Sequence, residues 1–216
     1  MIRSRSLMLI VLGAVALGVG IWLNQTLTRQ AARPPLDISG IYFPDPKDVT
    51  DFTLIQQTGK SLRPEDFKGR WSFIFFGYTH CPDVCPMTLA QMDALEKHLA
   101  QQGQNRDTAY WLISVDPERD TPKRLGEYTA YFNEKFRGAT GPHDELTKLT
   151  QQVGVYYQVQ PPQEGSEDYP VDHSSAIVLL NPDAQLQAIF THPHDDTPQT
   201  LAGDFIKIRE RFQVVH

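Results

Sequence analysis

Residues 71–78, WSFIFFGY, are a run of aromatic and aliphatic side chains interrupted only by Ser72 and Gly77. That is how a strand buried on both faces reads, and such a strand needs further strands beside it and covering layers above and below. The run passes straight into a loop that holds both cysteines of the chain, Cys81 and Cys85, each followed by proline. Next comes MTLAQMDALEKHLAQQ, with Leu89, Met92, Leu95 and Leu99 on one helical face. A buried strand, a stiff thiol loop and an amphipathic helix therefore follow one another directly.

The rest of the chain extends this alternation. GKSLRPEDFKGR carries turn signals and a short helical turn. AYWLISVD (Ala109–Asp116) reads as a second buried strand. DTPKRLGEYTAYFNEKF reads as a helix that Asp120 or Thr121 caps and Pro122 starts. PHDELTKLTQQVG is a further helix ending near Gly154, and SAIVLLNPDAQLQAIF is two strands around the turn Asn181–Ala184. TPQTLAGDFIKIRERF closes the chain as an amphipathic helix. The expectation is an α/β domain, a thioredoxin-like mixed sheet flanked by helices, with the cysteines at the carboxyl end of a central strand.

Ahead of this domain, Leu7–Leu23 is apolar and uncharged, at the short end of what a spanning helix needs. It is longer than a signal-peptide core, and the small-x-small triplet Ala14-Val15-Ala16 lies inside it rather than after it. The expected organisation is a tail and transmembrane anchor over 1–30, a proline-rich linker over 31–50 and a globular domain over 51–216. Arg3, Arg5 and Arg29 precede Ala31 and no acid does. From Ala31 on, 17 basic side chains stand against 26 acidic ones, a formal charge of −9. Such a surface disfavours nucleic acid as a partner and favours basic ones.

The cysteine spacing is one residue longer than the redox C-x-x-C. Pro86 suits the first position of the following helix, which places Cys85 near its N-cap, where the helix dipole favours a thiolate. The two thiols can close a disulfide or converge on one ion. A disulfide across so short a loop would restrict the unfolded chain little, so a purely structural role explains it poorly.

A third partner is sought among seven histidines. His98 lies on the outer part of a helix, His143 starts one, and His216 is terminal. His80 adjoins the cysteine loop with its side chain expected toward solvent, and His192 and His194 belong to the loop THPHDD. His173 differs. It lies in YPVDHSSAIVLL, where the chain enters a core strand, and in a thioredoxin-like sheet that loop faces the cysteines. Two sulfurs and one imidazole form a soft three-ligand set suited to Cu(I), or to Cu(II) with an added oxygen ligand; structural zinc and iron–sulfur clusters ask for about four protein ligands. Asp83 is a candidate fourth ligand, and Asp172 is expected to pin the loop rather than the imidazole.

GYTHCPDVCPMTL, ISVDPERDTP and VDHSSAIVLLNPDA together resemble the SCO/SenC family of copper-binding proteins, over roughly Phe52 to Phe212. The resemblance implies copper ligands at Cys81, Cys85 and His173. It implies a domain tethered to the bacterial inner membrane and facing the periplasm, or the mitochondrial intermembrane space. The implied function is delivery of copper to the dinuclear centre on the copper-bearing subunit of cytochrome c oxidase, with another copper chaperone as donor. An alternative is a thiol-disulfide oxidoreductase in which Cys81 and Cys85 reduce the cysteines of that centre. A peroxidase is a third reading, but it asks for an activating arginine or glutamine–tryptophan pair that no motif here supplies.

Overall fold

A computed structural model describes residues 12–24, 36–161, 169–191 and 196–214. The chain divides into two units, Met1–Leu36 and Asp37–His216. In the first, residues 12–24 form helix α1. Among the described residues no helix is long and apolar enough to cross a membrane. The first five residues of the expected span, Leu7–Val11, lie outside the described residues, as do His192, His194 and His216.

The second unit is a mixed sheet of eight strands. The elements in chain order are β1 (Ile41–Asp48), β2 (Leu54–Gln56), β3 (Ser61–Leu62), a 3-10 turn (Pro64–Phe67), β4 (Trp71–Gly77), α2 (Val84–Gln101), β5 (Thr108–Ser114), α3 (Pro122–Phe132), β6 (Phe136–Thr140), α4 (His143–Val153), β7 (Tyr157–Val159), β8 (Val171–His173), β9 (Ile177–Leu180), β10 (Gln185–Phe190) and α5 (Pro198–Gln213). The sheet runs β1-β10-β9-β4-β5-β6-β2-β3, and β7 and β8 form a separate two-stranded ribbon.

Strand β4 is the centre. It pairs in parallel with β5 and antiparallel with β9, and all seven of its residues are buried. On one face Trp71 and Phe73 meet Phe205 of α5 edge-on. On the other, Trp111 of β5 meets Phe67 of the 3-10 turn. Each of these large apolar side chains contributes about 1.5–3 kcal/mol by leaving water. Leu89, Met92, Leu95 and Leu99 of α2 are all buried, as their spacing predicts. Thr121 caps α3 by accepting from Arg124 N–H, and Gly154 ends α4 in the left-handed conformation at φ 70°.

Three features depart from expectation. The expected linker over 31–50 contains β1, which pairs with β10 as an edge strand, so the globular unit begins at Asp37. Two of its prolines, Pro44 and Pro46, lie in the stretch where the β1–β10 register breaks; an edge strand tolerates missing donors. Strand β6, FRGAT, has no strand-like signature, because Gly138 replaces a packed side chain. A Cβ there would lie 2.8 Å from Leu125 Cβ of α3, so the glycine lets the helix sit on the strand. Helix α2 starts at Val84, two residues earlier than Pro86 suggests.

Removing Asp37–Asp48 therefore takes away an integral strand and leaves β10 as a bare edge. A chain beginning at Val49 should be less stable than one beginning at Leu36, by about 1 kcal/mol for each ladder bond lost. It should also self-associate. Thermal melts and size-exclusion chromatography of the two chains check this, and equal stability would show β1 to be dispensable.

Candidate metal centre

The antiparallel register of β4 with β9 brings two distant segments to one edge. Phe75 pairs with Ile177, so the loop leaving β4 and the segment entering β9 emerge side by side. The first carries Cys81 and Cys85. The second carries His173 at the end of β8. The ligand atoms of Cys81, Cys85 and His173 lie within 4.8 Å of one another, although His173 is 88 residues from Cys85.

Each side chain has a structural reason for its place. Cys85 is the second residue of α2 and fully buried. Its thiol packs where Gly77 has no side chain: a Cβ on Gly77 would lie 2.9 Å from Cys85 Sγ and 2.8 Å from the Phe75 ring. Cys81 is 8% exposed, at the mouth of the loop. Both cysteines are free thiols. Cys85 N–H points to Cys81 Sγ at 3.4 Å. His173 is half-buried, with its ring edge-on to Phe75 and Tyr78 at 5.8 and 5.7 Å.

The imidazole's tautomer follows from its partners. His173 Nδ1 lies 3.2 Å from the carbonyl oxygen of Ser174. A carbonyl only accepts, so Nδ1 carries a proton, and Nε2 is the nitrogen that faces the sulfurs. Nε2 lies 3.3 Å from Cys85 Sγ. A histidine whose outer nitrogen is held by a carbonyl presents the other nitrogen as a ready ligand.

The two thiols are unlike. The hydrogen bond from the Cys85 thiol holds Cys81 far below the ordinary thiol range, against the penalty of burial, and His173 and the backbone N–H groups of Asp83 and Cys85 add to it. Burial pushes Cys85 up, and the neighbouring Cys81 sulfur adds to that. The sequence places the stabilised thiolate on Cys85 at the helix start. The structure assigns it to Cys81 instead, because α2 begins before Cys85 and draws that thiol into the core.

The remaining candidates fall elsewhere. Asp83 is exposed and does not belong to the three-residue cluster. Asp172 points outward and accepts from Gln160 Nε2 at 2.6 Å, which ties β8 to the end of β7 and bears out its pinning role. His80 is exposed and approaches buried Asp120 at 3.8 Å. His80, Asp116 and Asp120 form a second cluster, but its carboxylates are already engaged. Asp120 accepts from Thr79 and Ser114, and Asp116 from Arg119 and Tyr169. His143 lies between Glu118 and the stacked ring of Tyr157. Sequence reasoning gave Tyr78, Arg119 and Tyr169 no role, although Tyr78 meets the His173 ring and Arg119 lies over the rings of Tyr78 and Tyr169. Arg119 lies in the D-P-E-R-D segment and Tyr78 in the G-Y-T-H-C-P segment, but neither motif says that their side chains meet.

Comparison with known proteins gives a consistent picture. Residues 44–210 match the SCO1/SenC family model. The chain is 33% identical over 184 residues to an SCO2-like protein of Rickettsia conorii, covering 83% of this chain and 87% of the relative. It is 37% identical over 139 residues to the human mitochondrial SCO1 homologue, covering 64% of this chain and 46% of that one. The chain thus spans about half the length of the human and bovine mitochondrial relatives it matches. Among solved structures it resembles copper-bound ScoI of Arabidopsis thaliana, with TM-score 0.68 and 30% identity, covering 76% of this chain and 99% of the other.

The contrast between the thiols has a direct readout. The reduced, metal-free protein should show thiolate absorbance near 240 nm for about one cysteine at neutral pH, persisting into mildly acidic solution. Cys81→Ser should abolish that signal and Cys85→Ser should shift it toward higher pH. Two thiolates at neutral pH, or a signal that survives Cys81→Ser, would reverse the assignment.

Proposed function

This chain belongs to the SCO1/SenC family, and from that membership and its cysteine–histidine cluster we propose that it is a membrane-anchored copper chaperone. It holds copper through Cys81, Cys85 and His173. It delivers the ion to the dinuclear centre on the copper-bearing subunit of cytochrome c oxidase during assembly. The observation that carries the reading is the convergence of two sulfurs and an imidazole nitrogen within 4.8 Å. That soft donor set selects Cu(I) over harder cations. Copper is cargo here. Cys85 forms the buried floor of the site, while Cys81 and His173 lie nearer solvent, the side from which an acceptor's ligands approach.

Protons accompany the transfer. Cys81 is already a thiolate at neutral pH, so it binds without releasing a proton. Cys85 keeps its proton until the metal displaces it. Copper affinity therefore rises with pH through the neutral range, by about tenfold per unit for each proton released. It falls as the pH drops. The acidic domain surface complements a basic acceptor. The apolar run Leu7–Leu23 is the anchor, with the domain in the periplasm, or in the intermembrane space of a mitochondrion. Another copper chaperone is the donor.

The inequality of the thiols also supports a second reading, thiol-disulfide exchange with the acceptor's cysteines. Cys81 thiolate attacks an acceptor disulfide, forming a mixed disulfide and releasing one acceptor thiolate. Cys85 gives its proton to His173 Nε2 and attacks Cys81 Sγ, releasing the second. The acceptor is reduced to a dithiol and this protein is oxidised to the Cys81–Cys85 disulfide.

One variant set separates the readings. His173→Ala should leave the Cys81–Cys85 disulfide able to form and be reduced, while Cu(I) affinity falls by orders of magnitude. Cys81→Ser or Cys85→Ser should abolish both. Oxidase activity in cells at limiting copper then decides. A chaperone loses assembly with His173→Ala as fully as with either cysteine change, and activity retained in the His173 variant favours the oxidoreductase. For the anchor, the mature protein should fractionate with membranes and keep its N-terminus. An N-terminal sequence starting near residue 30 would rule the anchor out.

A further inference from the structure

The D-P-E-R-D segment, residues 116–120, reaches both halves of the metal centre. Its far end holds the cysteine side. Asp120, fully buried, accepts from Thr79 N–H at 2.9 Å and from the Thr79 hydroxyl at 2.5 Å, and Thr79 leads into the loop that carries Cys81. Its near end holds the histidine side. Asp116, also fully buried, accepts from the Tyr169 hydroxyl at 2.8 Å and from Arg119 Nε at 2.5 Å. The Arg119 guanidinium lies over the Tyr169 ring at 3.6 Å and over the Tyr78 ring at 5.5 Å.

Those two rings belong to opposite sides of the site. Tyr169 leads into β8, the strand that ends in His173. Tyr78 follows β4 and leads toward the cysteines. The Tyr78 hydroxyl accepts from Val171 N–H at 3.4 Å, and its ring meets the His173 ring edge-on at 5.7 Å. Arg119 is thus the joint between the histidine ribbon and the end of the central strand. The contact asks for a planar cation that stacks on aromatic faces while one N–H engages a carboxylate, which arginine supplies and lysine does not.

We propose that Arg119, held by Asp116, is a positioning residue that sets how closely His173 approaches the two cysteines, and so how firmly copper is held and how readily the histidine leaves it. The proposal rests on the copper-binding reading above and deepens it. Of the contacts described for Arg119, Asp116 and Tyr169 lie on the histidine side and Tyr78 joins that side to the end of the central strand, whereas the cysteine loop has its own hold through Thr79 and Asp120. Loosening Arg119 frees the imidazole, while the Thr79–Asp120 bonds still hold the cysteine loop.

The test uses the full chain in detergent, with Arg119→Gln and Tyr169→Phe, each alone and combined with His173→Ala. Cu(I) affinity is measured by competition with a chromophoric chelator. Amide hydrogen exchange is followed in the metal-free, reduced protein. Arg119→Gln should weaken Cu(I) binding about 10- to 100-fold, the size expected for a residue that orients a ligand. In the His173→Ala background it should cost less than about threefold, because the group it acts through is gone. Arg119→Lys should recover little. Tyr169→Phe keeps the ring beneath the guanidinium and removes the hydroxyl that bonds Asp116, so it should give a smaller loss in the same direction. It decides the matter should Arg119→Gln fold poorly. The amides of Val171 and Ser174 should exchange faster in both variants, with that of Cys85 unchanged. Equal losses with and without His173, or unchanged exchange at Val171 and Ser174, would overturn the proposal. If His173→Ala itself costs no affinity, the metal reading fails, and exchange at Val171 and Ser174 alone decides whether Arg119 is the joint.

Discussion

The arrangement of the whole site depends on one pairing, the antiparallel ladder of β4 with β9. The loop after β4 and the segment before β9 come from distant parts of the chain, yet antiparallel neighbours must place the end of one beside the start of the other. Had β9 run parallel to β4, the histidine would enter at the far edge of the sheet. The ladder is held by burial on both faces, with Phe73, Ile74, Phe75, Phe76, Ile177, Val178, Leu179 and Leu180 all fully buried. A slip of one residue in this register would turn every one of those side chains to the wrong face. Core packing and ligand convergence are therefore one constraint.

A site placed there asks the core to accommodate polar groups. Asp116 and Asp120 are fully buried, and unpaired carboxylates in such a position would be strongly destabilising. Each is met by several donors, from Thr79, Ser114, Arg119 and Tyr169. Cys85 is accommodated differently. It keeps its proton, and Gly77 gives the sulfur room. The core thus tolerates charge where a network answers it, and neutralises the group where none does.

Much of this was legible in the sequence because it is written in short-range signals. The apolar run of β4, the helical spacing from Leu89 to Leu99, Thr121-Pro122 at a helix start and Gly154 at a helix end each depend on a few neighbouring residues. The Cys–Cys–His set was legible because a thioredoxin-like order of elements fixes which loops meet. What escaped depends on partners distant in sequence. Strand β6 is a strand because β5 and β2 flank it, and β1 joins the sheet because β10 offers an edge. Which thiol ionises turns on two residues of helix boundary, and Pro86, tolerated inside the first turn, was read as its start. Arg119 and Tyr169 lie in a charged segment and beside a polar loop, where nothing local reveals that their side chains stack.

The hydrogen bond from His173 Nδ1 to the carbonyl of Ser174 has a consequence of its own. Many metal-binding imidazoles are oriented by a group on another element, so moving them breaks the bond that fixes the tautomer. Here the orienting carbonyl belongs to the next residue along the same chain. A displacement of the ribbon carries ring, proton and acceptor together as one rigid piece. The histidine can move relative to the sulfurs while its Nδ1 proton stays on the same carbonyl.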